Sequence, residues 1–159
     1  MRPVGPERFR AVMGRFPTGV TVVTAMGPDG PVGMTANAVT SLSLDPLLLL
    51  VCFDRGARTL PVVQEAGRFG VNVLARGQED LARRFASKAP EEEKFAGVPY
   101  TVDAGVPVLE GAHAWLGCDL ERLVPGGDHT IGIGAVHAAE VGVGEALAWY
   151  AGSYGTFSR

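Results

Sequence analysis

In the stretch Gly33–Leu44, neutral hydrogen-bonding side chains occupy the odd positions 35, 37, 41 and 43. The side chains of a β-strand alternate between its two faces, so one face of this stretch would carry hydroxyl and amide groups. The polar face consists of Thr35, Asn37, Ser41 and Ser43. The opposite face is apolar and is expected to join the core through Met34, Ala36, Ala38, Leu42 and Leu44.

This polar face carries no charge, because every residue between Asp29 and Asp45 is neutral. An edge strand that faces water usually carries charged side chains such as Lys. A row of neutral donors and acceptors is better suited to a bound polar ring or a phosphate. The alternative explanation is an edge strand whose polar face is exposed to water.

A short helix is predicted after Thr59, closed by Gly67, and its N-terminus can bind an anion. Thr59 has the side chain of an N-cap, and Arg58 stands beside it. The free N–H groups and the dipole of a helix N-terminus attract anions, and Arg58 would add to that attraction. Plain capping of the helix is the commoner use of such a residue.

A second predicted helix, Gln78–Ser87, carries two adjacent arginines, Arg83 and Arg84. Glu79 and Asp80 each precede one of them by four residues, which is the spacing of helical ion pairs. The alternative is that one arginine turns to a ligand phosphate, which its fork of donors holds well.

The usual acids, bases and nucleophiles of enzymes are missing from the sequence patterns. No P-loop, GxSxG or HExxH motif occurs, and the three histidines are too scattered to predict a metal site. Cys52 and Cys118 lie in apolar patterns and are expected to be buried free thiols. His129 follows a Gly-Gly-Asp turn that would present its side chain. Neutral donors and a few arginines favour chemistry that a cofactor performs, such as hydride transfer through a flavin.

The elements that position these residues are predicted to be mainly β. The β-branched stretch Val20–Ala25 should form a hairpin with the polar stretch, and Leu47–Phe53 reads as a strand buried on both faces. Other predicted elements are an amphipathic helix over 6–16, a strand over 68–74 and two longer strands over 114–124 and 129–143. Six or seven strands with three short helices predict a closed or Greek-key barrel.

Two regions are predicted to have less regular structure. Residues 89–107 contain several glycines and prolines, and they read as a mobile excursion over a site or as a surface loop. The aromatic tail over 149–157 is expected to dock onto the body of the protein or onto a second subunit.

Bulk composition excludes several classes of protein. The 159 residues predict one domain, 1–159, and a net charge of −3 argues against nucleic acid as the main partner. The N-terminus lacks the apolar core of a signal peptide, and the longest apolar run, Leu47–Phe53, is too short to span a bilayer. We therefore expect a cytoplasmic protein without a membrane segment.

Seven motifs occur in order along nearly the whole chain: Phe9-Arg10, Gly14–Thr24, Gly33–Asn37, Ser41–Pro46, Arg84–Ala86, Gly127–His129 and Tyr150–Tyr154. This ordered set resembles the flavin reductase-like family, the short-chain NAD(P)H:flavin oxidoreductases of two-component monooxygenases. The resemblance implies an FMN-binding split β-barrel and a homodimer with flavin near the subunit interface. It also implies transfer of hydride from NADH or NADPH to FMN or FAD, and supply of reduced flavin to a monooxygenase.

The resemblance further implies roles for individual residues. The isoalloxazine and ribityl chain would be lined by Thr35, Ala36, Asn37, Ser41 and Ser43. The phosphate end would be held by Arg58, Thr59, Arg84, Phe85 and Ala86. His129 would face the nicotinamide, Tyr154 would complete the pocket, and Cys52 would also belong to the cofactor site. Two alternatives share the barrel: a flavin- or haem-binding protein without turnover, and an oxidase of the pyridoxine-phosphate type.

Overall fold

The computed structural model describes residues 3–158 and contains, within them, four helices and twelve strands. The helices are α1 (Pro6–Met13), α2 (Thr59–Ala66), α3 (Glu79–Ala86) and α4 (Glu91–Phe95). The strands are β1 (Thr18–Gly19), β2 (Thr21–Gly27), β3 (Gly30–Ala36), β4 (Val39–Leu44), β5 (Leu47–Asp54), β6 (Arg68–Val73), β7 (Tyr100–Asp103), β8 (Val106–Leu109), β9 (Ala114–Gly126), β10 (His129–Val141), β11 (Leu147–Tyr150) and β12 (Ser153–Thr156). The prediction of a mainly β protein is confirmed. None of the four helices is long and apolar enough to cross a membrane.

Seven strands form one antiparallel sheet in the order β3-β2-β6-β9-β10-β5-β4. The predicted hairpin is confirmed, because β2 pairs with β3 in the register Thr21↔Ala36. The two long strands β9 and β10 are also confirmed, and a turn at Gly127, whose φ is 70°, joins them. Two small sheets, β1-β11-β12 and β7-β8, complete the fold.

The main core lies against β10 and contains the aromatic pair Phe53 and Phe69. Their ring centroids are 6.2 Å apart in an edge-to-face arrangement. A Cβ added to Gly134 would lie 2.5 Å from Phe69 Cζ, and one added to Gly132 would lie 2.7 Å from Phe53 Cε2. The two glycines of β10 are therefore explained by the close approach of these rings to the strand backbone.

A second core cluster joins α3 to the sheet and to the C-terminal strands. Its buried members are Val20, Val22, Leu74, Ala82, Phe85, Phe95, Leu109 and Leu147. Buried Asn72 links β6 to β8, since its Oδ1 accepts a hydrogen bond from the Leu109 N–H at 2.8 Å. The second core cluster therefore holds α3 and the C-terminal strands against the seven-stranded sheet.

The predicted single strand over 33–44 is wrong in part. The chain leaves the sheet at Asn37 and Ala38, and a register shift between Ser41 and Ser43 interrupts the pairing of β4 with β5. A bulge of this kind disturbs the alternation of faces. Leu42 and Leu44 are consequently exposed, Leu44 by 86% of its surface, and do not join the core as predicted.

The prediction that Leu47–Phe53 is buried on both faces is also wrong. Burial alternates along β5, with Leu49, Val51 and Phe53 buried, whereas Leu48, Leu50 and Cys52 are half-buried. The physical reason is the position of β5 in the sheet. Only the edge strand β4 lies between β5 and the end of the sheet, and one face of β5 remains partly exposed.

The amphipathic helix ends at Met13, three residues before the predicted end, and none of its residues is buried. Its apolar residues Phe9, Val12 and Met13 are exposed within the single chain, as is Phe16 just beyond it. The apolar face that the sequence predicts is therefore present but uncovered.

Residues 89–107 are more regular than predicted. They contain α4, β7 and the first two residues of β8, and Lys94 and Phe95 of α4 are buried. Phe95 packs edge-to-face on Phe85 with centroids 4.9 Å apart, so this segment belongs to the second core cluster. The prediction of a loop is corrected by this packing.

Candidate functional site

A pocket of about 240 Å³ lies where β3 ends, beside the last turn of α3 and the β11-β12 hairpin. We call it the central pocket; it is lined by Val20, Thr35, Ala36, Asn37, Ala86, Trp149 and Tyr154. None of these side chains is charged. The Thr35 hydroxyl donates a hydrogen bond of 2.6 Å to the carbonyl of Ala82, which fixes β3 to α3. The threonine oxygen can still accept a hydrogen bond from a ligand.

One wall of the central pocket is aromatic. Trp149 and Tyr154 are opposite residues of the β11-β12 pairing, and their ring centroids are 4.8 Å apart at an interplanar angle of 63°. The turn between these strands places Ala151 and Gly152 at positive φ, 49° and 80°. The aromatic tail thus docks onto the body of its own chain, which is one of the two outcomes that its composition predicts.

A larger cleft, of about 630 Å³, opens from the central pocket at Thr35 and Ala86. We call it the cationic cleft, because three cationic side chains and two carboxylates line it: Arg58, Lys88, Lys94, Asp54 and Glu91. Anions are favoured in such a cleft by charge and by the hydrogen-bond donors of the cations.

Glu91 organises the cationic cleft. One of its carboxylate oxygens accepts from the Gly33 N–H at 3.0 Å, and the other lies 3.3 Å from Lys94 Nζ. Lys94 also donates to the Gly33 carbonyl at 3.2 Å and is only 4% exposed. Arg58 lies 3.7 Å from the same carboxylate and donates to the carbonyl of Ala89. Arg58 and Lys94 are therefore held in place by contacts within the chain.

A third cavity, of about 640 Å³, lies against the β11-β12 hairpin and shares Ala86 and Ser87 with the cationic cleft. We call it the hairpin cleft; it is lined by Glu79, Arg83, Ala86, Ser87, Trp149, Gly152, Ser153 and Tyr154. It shares Ala86, Trp149 and Tyr154 with the central pocket. The central pocket thus adjoins two larger clefts.

The structure brings most of the predicted site residues together. Thr35, Ala36, Asn37, Ala86 and Tyr154 line the central pocket. Arg58, Thr59 and Phe85 line the cationic cleft. Thr59 is buried and begins α2, whereas Arg58 occupies the N-cap position, and the cap has no side-chain hydrogen bond. The prediction that Thr59 is the N-cap is therefore wrong by one residue.

Four predicted cofactor residues do not line these cavities within one chain. Ser41 and Ser43 lie on β4, where Ser43 Oγ accepts from the Asp45 N–H at 3.3 Å. Cys52 lies on β5 as a half-buried free thiol. Arg84 Nη1 donates to the Ala96 carbonyl at 2.8 Å.

Cys118 is buried, as predicted, and unlike Cys52 it lies in the main core. Desolvation, reinforced by the negative charge of Asp119, raises the pKa of the Cys118 thiol to about 12. Cys118 is consequently a neutral core thiol near neutral pH.

His129 lies at the beginning of β10 and outside the central pocket of its own chain. Its Nδ1 is 2.8 Å from Asp128 Oδ1, and this contact lowers the pKa of the Asp128 carboxyl, first through the hydrogen bond and then through charge. In the β10-β5 register His129 stands opposite Asp54, which lines the cationic cleft. His129 is therefore one strand away from that cleft.

Several lining residues were not identified from the sequence. Val20 and Trp149 line the central pocket, and Lys88 and Lys94 line the cationic cleft. Trp149 belongs to the aromatic tail, whose composition indicated docking but not the place. Lys94 lies in an acidic stretch that gives no local signal of burial.

Comparison with known proteins identifies the family. The family described as "Flavin reductase like domain" matches residues 13–158. The chain belongs to the flavin reductase-like family, as its motifs predicted. It is 45% identical over 158 residues to a flavin reductase of Pseudomonas putida, covering 98% of this chain and 92% of that protein.

The names of two further relatives state a coenzyme and a partner. A flavin-dependent monooxygenase reductase subunit of Mycobacterium tuberculosis is 40% identical over 136 residues, covering 85% of this chain and 72% of that protein. The solved NADH:FAD oxidoreductase of Streptomyces globisporus superposes with a TM-score of 0.91 at 39% identity, covering 100% of this chain and 99% of that one. The predicted split-barrel fold is confirmed by this likeness.

Proposed function

We propose that this chain is an NADH-dependent flavin reductase that supplies reduced flavin to a partner monooxygenase. The observation that carries the proposal is the uncharged, aromatic-walled central pocket that adjoins two larger clefts, in a chain of the flavin reductase-like family. A bound flavin supplies the redox chemistry, as acceptor of hydride from the nicotinamide coenzyme. The protein residues bind and orient the two coenzymes.

The residues present fit a flavin. The isoalloxazine is a planar ring system with apolar faces and a polar edge, and the central pocket offers Val20 and Trp149 beside Thr35 and Asn37. The flavin phosphate would be held in the cationic cleft, where Arg58 is kept in place by the Ala89 carbonyl. No lining side chain of the central pocket is an acid or a base, so these residues act by positioning.

The use of NADH and the partner follow from the relatives. One solved relative is an NADH:FAD oxidoreductase, and one curated relative is the reductase subunit of a flavin-dependent monooxygenase. We extend both properties to this chain because each relative covers most of it at about the same level of identity.

We also propose a homodimer. Phe9 and Val12 of α1 are exposed, and so are Leu44 and Leu47 at the β4-β5 turn, which leaves apolar surface uncovered in the single chain. Burial of such surface against a second copy is the ordinary way to stabilise it. Three predicted site residues that miss the central pocket, Ser41, Ser43 and Cys52, lie on β4 and β5, the strands that this turn joins. A second copy would bring these residues near a flavin at the interface.

The function is tested by following NADH oxidation with purified protein while free FMN or FAD is added. Sustained oxidation that depends on added flavin is the expected result. A single stoichiometric reduction without turnover would instead indicate a flavin carrier. Light scattering of the protein with flavin tests the dimer, and a monomer at micromolar concentration would refute it.

A further inference from the structure

The two adjacent arginines of α3 have different surroundings. Arg84 Nη1 donates to the Ala96 carbonyl at 2.8 Å, so this guanidinium serves the contact between α3 and the end of α4. Arg83 instead lines the hairpin cleft. Successive side chains of a helix point in different directions, which separates the roles of these neighbours.

The guanidinium of Arg83 is oriented but retains free donors. Its Cζ lies 5.1 Å from the centroid of the Tyr154 ring, a cation–π contact that holds the planar group over the aromatic face. Its Nη1 is 3.0 Å from Asp80 Oδ1, and the Asp80 side chain is fully exposed. An exposed ion pair of this spacing is weak and exchanges readily for another anion. Arg83 is therefore available to bind a phosphate.

The other lining residues of the hairpin cleft suit the rest of a nucleotide. The hydroxyls of Ser87 and Ser153 can bond to a ribose or phosphate, and Trp149 offers an aromatic surface. Glu79 also lines the hairpin cleft, so its carboxylate balances the charge of Arg83, the single cation among the lining residues. Attraction for phosphate is consequently local to Arg83 and weaker than in the cationic cleft. Weak binding is appropriate for a coenzyme that must leave after each turnover.

We propose that the hairpin cleft binds the nucleotide portion of the nicotinamide coenzyme, with Arg83 binding its phosphate and Tyr154 orienting Arg83. This inference rests on the proposed function. Two coenzymes must bring their rings together, and the central pocket shares Ala86 with both clefts. The cationic cleft, with three cations, accounts for the flavin phosphate. The hairpin cleft is then left for the second coenzyme.

Steady-state kinetics of the full chain with saturating FMN tests the proposal. Arg83→Gln is expected to raise the KM for NADH by about tenfold, the effect of losing a charge-assisted hydrogen bond, with little change in kcat. Arg83→Lys, which keeps the charge but loses the planar fork, should have an intermediate KM. Arg76→Gln is the matched control, because Arg76 is exposed, pairs with Glu145 at 2.7 Å and lines none of the three cavities.

A phosphate-free hydride donor separates a binding role from a structural one. With 1-benzyl-1,4-dihydronicotinamide, the Arg83→Gln variant should match the wild type, since this donor has no phosphate. Calorimetric titration of the flavin-free protein with NAD⁺ supplies a readout that does not depend on activity, and affinity should fall in parallel with the rise in KM. Equal losses with both donors, or unchanged NADH and NAD⁺ binding, would overturn the proposal.

Flavin titrations distinguish the adenosine of FAD as the alternative occupant. Affinities of Arg83→Gln for riboflavin, FMN and FAD are all expected to equal those of the wild type. Selective loss of FAD affinity would assign the cleft to the flavin and refute the inference. A wild-type protein that shows no flavin-dependent NADH oxidation would refute the proposed function itself, whatever the Arg83 variants do.

Discussion

Replacement of Glu91 is expected to destabilise the protein and to loosen the cationic cleft. The residue is the only carboxylate within 4.0 Å of Lys94 Nζ among the described ion pairs, and Lys94 is 4% exposed. Removing one partner of a fully buried pair costs about 3–5 kcal/mol, because it leaves an uncompensated buried charge. The Glu91 side chain is 20% exposed and Lys94 keeps the Gly33 carbonyl, so a smaller cost is expected.

We expect Glu91→Ala to lower the free energy of unfolding by about 2 kcal/mol, given the partial exposure of the pair. For a chain of this size that loss corresponds to a fall in Tm of about 4–8 °C. Glu91→Gln should cost less, because its amide oxygen can still accept from the Gly33 N–H. The measurement is thermal unfolding followed by circular dichroism, with Glu93→Ala as the control in the same helix, where Glu93 is exposed.

A double-mutant cycle tests the reasoning directly. If the cost is the buried charge of Lys94, then Lys94→Met added to Glu91→Ala should recover part of the lost stability. Strict additivity of the two single changes, or a Glu91→Ala variant that melts with the wild type, would refute this explanation. Affinity for FMN should also fall more than affinity for riboflavin, since riboflavin lacks the phosphate that the cationic cleft is proposed to hold.

The remaining predictions concern the central pocket, β10 and His129. Asn37→Ala should weaken flavin binding about tenfold or more, because the change removes a hydrogen-bond partner that bound flavin would bury; fluorescence titration is the measurement. Unchanged affinity would mean that the row of polar side chains only faces water. Gly134→Ala should cost about 1–3 kcal/mol in denaturant unfolding, because its Cβ would lie 2.5 Å from Phe69 Cζ. Gly155→Ala, which has open space, is its control. His129→Ala should slow stopped-flow reduction of bound flavin by NADH with flavin affinity nearly intact; a wild-type rate would leave His129 with its Asp128 contact only.

The sequence alone determined the elements whose signals are local. The β-branched run before the Gly27–Gly30 turn predicted the β2-β3 hairpin, and the turn at Gly126–Asp128 predicted the pairing of β9 with β10. The ordered motifs identified the family and singled out Thr35, Ala36 and Asn37, which the structure places side by side in the central pocket. These predictions succeed because backbone preference and side-chain alternation act between residues close in the chain.

Tertiary structure alone decided which side chains face solvent, core or cavity. A bulge in β4 exposes Leu42 and Leu44 despite their apolar pattern, and α4 buries Lys94 despite its acidic neighbours. Arg83 and Arg84 have the same local sequence signal, yet one contacts Tyr154 and the other the Ala96 carbonyl. The physical reason is that these outcomes depend on partners between 12 and 71 positions away, whose approach is set by packing of the whole barrel and not by local periodicity.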